Sequence, residues 1–152
     1  MAIPLPEADA LVQRYRRFEH ALKRAGFVNP NDRRASANWG EFAKALGEDF
    51  FVEVRDSGEA PTLIAEPPRI LMRETMTFEP PEPEPITDVV DLFRRGICMV
   101  RNNHLHGEKF INEPGLGRDA ALVREALAVL ERASGRHPAV AALMAASEDE
   151  SS

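Results

Sequence analysis

The sequence predicts an all-α fold, a four-helix up-and-down bundle with a short extra C-terminal helix. Three observations predict it. Apolar residues return every three or four positions along four separate segments. Alternation of the kind a half-buried strand needs is almost absent. Each of the four segments ends near a glycine: Gly26, Gly58, Gly107 and Gly135. Amphipathic helices without strands bury their stripes only against one another.

The first helix is predicted over 6–26, where Leu11, Tyr15, Phe18, Leu22 and Ala25 form one stripe and Gly26 stands at the C-terminal cap. Asn29-Pro30-Asn31-Asp32 is a loop. A second helix opens at Asn38, with Glu41 three residues on in capping-box fashion, and Trp39, Phe42, Ala43, Leu46 and Phe50 continue one face. Phe50 to Val54 also reads as a short strand, but a helix running through Gly47 to about Asp56 is the expectation. Gly47 costs it about 1 kcal/mol relative to alanine. Residues 60–78 read as irregular, with Pro67-Pro68 forcing extended backbone.

The Pro/Glu-rich stretch 79–86 reads as an extended, polyproline-like surface connector. A third helix starts at Thr87 or Asp88, with Val89, Phe93, Ile97 and Val100 inward, and Gly107 stops it. A fourth spans about 119–133, with Val123, Ala126, Leu127 and Leu130 inward. A short helical turn at 138–146 and a disordered acidic tail, 147–152, complete the chain. Residues 1–146 are thus expected to form a single domain, a size at which most of the apolar surface is buried.

Totals narrow the function classes. No apolar run reaches 18 residues, and the N-terminal residues lack the cationic start and apolar stretch of a signal peptide, so no membrane association is expected. Cys98 is the only cysteine, which excludes an internal disulfide and fits a reducing, cytoplasmic location. A net charge of −6 argues against coating nucleic acid through bulk positive charge. The acidity is concentrated at 79–85 and in the tail, however, which leaves room for a local basic site.

That site is read at Val100-Arg101-Asn102-Asn103-His104-Leu105-His106-Gly107-Glu108-Lys109. Cleaving RNA through its own 2′-hydroxyl requires a proton to leave that oxygen, a proton to reach the departing 5′-oxygen, and charge on the phosphoryl oxygens to be neutralised. Histidine moves protons in either direction near neutrality. Arginine presents a planar, permanently charged fork to phosphate. Five residues separate Arg101 and His106 by about 140° on an ideal helix, so either the last turn frays or a second subunit completes the site. A protonated imidazole is favoured at a helix C-terminus.

Arg101, the polar Asn102 after it and His106 resemble the Arg-x4–6-His signature of HEPN domains, and Val-Arg-Asn-Asn-x-x-His-Gly resembles a characteristic form of it. The wider pattern is similar to small stand-alone bacterial HEPN proteins: Tyr15-Arg16-Arg17-Phe18-Glu19-His20 in the first helix, a Trp-led second helix, Pro67-Pro68-Arg69, and Arg118-Asp119 before the last helix. The resemblance implies a homodimer in which two copies of the motif form one composite, metal-independent endoribonuclease site without cofactors. It also implies an enzyme whose substrate is RNA, with a toxin or defence role and an antitoxin or nucleotidyltransferase as a possible partner. Arg101 would bind the scissile phosphate, His106 act as acid or base, and Asn102 support both. Lys109, Asn103 and His104 are secondary substrate-binding candidates. The alternative is a HEPN module that has lost catalysis and binds a nucleotide or a partner such as a nucleotidyltransferase.

Plainer readings stand beside these. Arg and His at a helix end often only complement the helix dipole. His104 falls on the stripe of Phe93, Ile97 and Val100 and reads as half-buried packing; Lys109 reads as a solvated cation. Arg14, Arg17 and Arg24 could form a phosphate track but read first as a solvated flank, Glu19 and His20 could reach the site from the first helix but read first as a surface pair, and His137 reads as exposed. Cys98 reads as an inert core thiol. Cys98, His104, His106 and Glu108 lack the spacing of a zinc site. Gly115-Leu116-Gly117 reads as a turn rather than a phosphate loop.

Overall fold

The computed structural model describes residues 6–105 and 116–151, and it is mostly helical. Helix α1 spans Pro6–Arg24 and buries Leu11, Tyr15, Phe18, Ala21 and Leu22. It ends as the sequence predicts. Gly26 adopts φ +97°, its N–H reaches the Lys23 carbonyl at 3.4 Å, and the Phe27 N–H reaches Leu22 at 2.9 Å. This is the paired-bond glycine cap that only a residue without Cβ adopts freely. The loop beyond is closed by Asn29, whose Nδ2 donates to Ser36 Oγ at 2.8 Å and to the Ala37 carbonyl at 3.2 Å.

The second predicted helix is two helices. Helix α2, Trp39–Leu46, starts at Asn38, whose Oδ1 accepts from the Glu41 N–H at 3.0 Å. Gly47 then takes φ +86° and ψ 165°, and α3 follows over Glu48–Ser57. Those angles lie in a region open essentially to glycine alone, so Gly47 breaks the helix instead of merely weakening it. The Phe50–Val54 stretch is helical within α3.

The stretch 60–78 is more ordered than its composition suggests. Helix α4, Pro61–Ala65, begins with proline at its first position, where the missing N–H costs nothing. Strands β1, Ile70–Leu71, and β2, Phe78–Glu79, pair antiparallel, Ile70 opposite Glu79. The Pro/Glu connector is pinned at its far end: the Arg95 Nη2 donates to the Glu84 carbonyl at 2.6 Å, and the Ile86 N–H to Ile64 at 2.8 Å.

Helix α5, Val89–Asp91, is capped by Asp88 Oδ1 accepting from the Asp91 N–H at 2.8 Å. It passes through one π-helical turn, Leu92–Ile97, into α6, Cys98–Leu105. Such a turn holds one extra residue and re-aims the helix beyond it. Gly96 sits in it with no room to spare: a Cβ there would lie 3.3 Å from Ile86 Cδ1 and 3.4 Å from Leu63. Val89, Phe93, Ile97 and Val100 are all buried, as their spacing predicts.

Helix α7, Leu116–Ala133, starts earlier than the predicted residue 119 and absorbs Leu116-Gly117, which the sequence pattern places in a turn. Helix α8, Pro138–Ser151, runs beyond the expected turn at 138–146 and continues helical through residues 147–151 of the predicted tail. Helix α1 packs against α6, α7 and α8, and α4 against α7. At the centre, Trp39 stacks on Tyr15 at 4.7 Å and on Phe93 at 6.0 Å, while Phe42 meets Phe18, Phe27 and Phe93. Offset and edge contacts of this kind add to area burial. No helix among the described residues is long and apolar enough to cross a membrane.

Candidate functional site

Arg101 sits on α6 facing α1, and α1 determines how its guanidinium is held. Tyr15 and Glu19 are four residues apart on α1 and therefore share a face. The guanidinium carbon lies 4.6 Å above the Tyr15 ring, a cation–π distance. Nη2 stands 3.7 Å from Glu19 Oε1, and Nη1 donates to Asn102 Oδ1 at 3.0 Å. Nε is buried, with no hydrogen-bond partner among the described residues. The side chain remains 20% exposed.

Beneath this cation the chain places two protonated groups. They are Tyr15 on α1 and Cys98 on α6, each of which shifts the other's proton affinity. Burial first, and the electrostatic influence of the nearby Cys98 sulfur second, push the Tyr15 hydroxyl far above its usual range. Burial likewise pushes the Cys98 thiol up to about 11, against the lowering effect of the Tyr15 bond. Both stay neutral at physiological pH. Glu19 is thus the anion the described residues set against Arg101.

The remaining predicted residues divide three ways. Asn102 is half-buried and bonded to Arg101. Asn103 is buried, and its Nδ2 donates to the Arg69 carbonyl at 3.1 Å, tying α6 to the segment before β1. The substrate contact suggested for Asn103 thus competes with a structural bond. His104 lies within α6; its side chain, and all of His106 and Lys109, lie outside the described residues. Among those residues no group of three His, Cys, Asp or Glu gathers for a metal.

Two readings are decided. Glu19, which could either reach the site or pair with His20 at the surface, reaches Arg101, while the His20 carbonyl accepts from Arg24 Nη1 at 3.2 Å. His137, expected to be exposed, is half-buried against Phe27 at 5.2 Å and Phe42 at 6.5 Å. Tyr15 was legible only as a core residue; the Tyr15-x3-Glu19 spacing was the available signal that one helical face carries both a ring and an anion. A cavity of about 450 Å3 opens elsewhere, at the start of α2, lined by Trp39, Gly40, Lys44, Arg94 and Cys98. It does not include Arg101.

No family model matches the chain, and no curated protein or solved structure matches it.

Proposed function

We propose that this protein is a metal-independent endoribonuclease acting as a cytoplasmic homodimer, with Arg101 and His106 as its catalytic pair. The observation that carries the reading is the state of Arg101. It is oriented by a ring and an amide, it is partly exposed, and its Nε has no hydrogen-bond partner among the described residues. A cation placed this way supports capture of a phosphate, because its terminal nitrogens hold only an amide oxygen and a loose carboxylate among the described residues and can fork onto an incoming oxyanion.

In the proposed reaction the substrate 2′-oxygen attacks phosphorus while a base takes its proton. The bond from phosphorus to the 5′-oxygen breaks as an acid protonates that oxygen. The products are a 2′,3′-cyclic phosphate and a 5′-hydroxyl. Arg101 neutralises the phosphoryl oxygens, His106 transfers protons, and Asn102 keeps the guanidinium in register. Helices α1, α2–α3, α5–α6 and α7 form the four limbs of an up-and-down bundle with α8 as the extra helix, and two copies pair to complete the site. A toxin or defence role with an antitoxin or nucleotidyltransferase partner follows from the HEPN resemblance.

One observation favours a second reading, a non-catalytic module that binds a nucleotide or a partner: Glu19 already partly neutralises Arg101. A single experiment separates the two. Purified protein and His106→Ala are incubated with mixed RNA in EDTA. Cleavage that survives chelation and disappears in the variant is the expected result. No cleavage by either, with the dimer intact, moves the assignment to the binding module.

A further inference from the structure

We propose that Glu19 is a built-in competitor for the anion at Arg101, a carboxylate that an incoming phosphate must displace. The proposal rests on the reading of Arg101 as a phosphate-binding group. The guanidinium offers a ligand few approaches. One face is covered by the Tyr15 ring, and Nε is buried. The edge left is the one carrying Nη1 and Nη2, and Glu19 Oε1 already stands 3.7 Å from Nη2. A phosphate docking on that edge meets the carboxylate as a like charge at close range.

The contact is built to break. At 3.7 Å it is an ion pair without a hydrogen bond, between side chains 20% and 31% exposed, the kind that contributes little to stability. Glu19 and Tyr15 lie one turn apart on the same helix, so the carboxylate can rotate to solvent while the ring stays beneath the cation. Of the other titratable groups described beside Arg101, the Tyr15 hydroxyl and Cys98 thiol add no negative charge, since both remain protonated. Displacing Glu19 therefore removes the negative charge that the described residues place beside Arg101. The Asn102 amide and the Tyr15 ring remain in contact with it.

The test uses the full chain in a His106→Ala background, so that RNA is bound and not cut. Two probes are titrated: a short RNA oligonucleotide followed by fluorescence anisotropy, and inorganic phosphate followed by the Arg101 Nε–Hε resonance. Glu19→Gln removes the charge and keeps the shape; Glu19→Ala is the second variant. Glu131→Gln, an exposed residue of α7, controls for net charge. Both Glu19 variants are expected to bind each probe about 5- to 10-fold more tightly at low salt, with the control unchanged. Equal phosphate affinity in parent and Glu19 variants, weaker binding in them, an equal gain in the control, or no phosphate response at Arg101 in any of them each overturns the proposal. If phosphate binds more tightly in the Glu19 variants but RNA binds to none, the competitor stands and the RNA reading fails.

Discussion

Arg101 and Arg132 are almost equally exposed, at 20% and 24% of their side chains, yet the chain treats them in opposite ways. Arg132 on α7 has every nitrogen bonded to a carboxylate. Its Nε and Nη2 fork onto the two oxygens of Glu59 at 2.9 and 2.7 Å, and Nη1 reaches Glu53 at 2.8 Å. Arg136 joins the same Glu53 carboxylate. Arg101 has one bond to its neighbour's amide, a loose ion pair, a ring face and a buried nitrogen without a partner among the described residues. A guanidinium with every nitrogen matched to a carboxylate ties helices together. One held in place but left incomplete is available to a ligand. Exposure alone does not distinguish them; hydrogen-bond completeness does.

The contrast predicts a crossed pair of phenotypes, and here the largest effect is expected. Arg101→Ala should lower RNA cleavage by about 100- to 1,000-fold, the loss typical of removing a preorganised charge-stabilising donor. It should barely move the thermal midpoint, since what it loses is an exposed pair and a cation–π contact of roughly 0.5–1 kcal/mol. Arg132→Met should do the reverse: cleavage retained, thermal midpoint lowered. Cleavage assays and thermal unfolding on both variants check this. If both lose activity in step with stability, the comparison collapses into one structural role.

A second test concerns the charges beneath Arg101. With the Cys98 thiol at about 11, roughly one molecule in a thousand is thiolate at pH 8, against roughly a quarter for an ordinary cysteine. Iodoacetamide at pH 8 should therefore alkylate native Cys98 about 250-fold more slowly than a free thiol, and at the ordinary rate after denaturation. Rapid alkylation of the folded protein would place a second anion under Arg101 and undo the electrostatic account of Glu19.

How much of this was legible depends on the range of each interaction. The stripe Val89, Phe93, Ile97, Val100 was readable because helical burial repeats locally, and the caps at Gly26, Asn38 and Asp88 because capping is a matter of three or four residues. Gly47 was visible as a weak point but not as a break, because nothing nearby specifies the angles it takes. The π-turn at Leu92–Ile97 escaped because one extra residue per turn hardly disturbs the apolar spacing, and the close packing of Leu63 and Ile86 on its Gly96 is a long-range contact. Arg132 finds Glu53 and Glu59 across 79 and 73 residues, beyond any pattern in the sequence. The platform under Arg101 is of the same kind. The motif marks Arg101, but Tyr15 and Glu19 come from the first helix.

The smallest expected effect separates the two arginines by pH. Hydrogen bonds from Arg132 first, and Arg136 second, hold the Glu53 carboxyl below the usual glutamate range, and Arg132 does the same for Glu59. Groups whose folded values are depressed bind fewer protons folded than unfolded. Their stabilisation is complete above the unfolded glutamate value, roughly 4.3, and fades as pH falls through the lower folded values. The difference in thermal midpoint between the parent protein and Arg132→Met should therefore be full at pH 6 and shrink below about pH 4. Because these side chains are substantially exposed, it should also shrink in 1 M salt, where screening acts over about 3 Å. A difference that persists unchanged in acid or in salt would mean that the Arg132 side chain acts through its methylene stem. The pairs with Glu53 and Glu59 would then be incidental to the packing of α7, and completeness of hydrogen bonding would no longer distinguish a structural arginine from an available one.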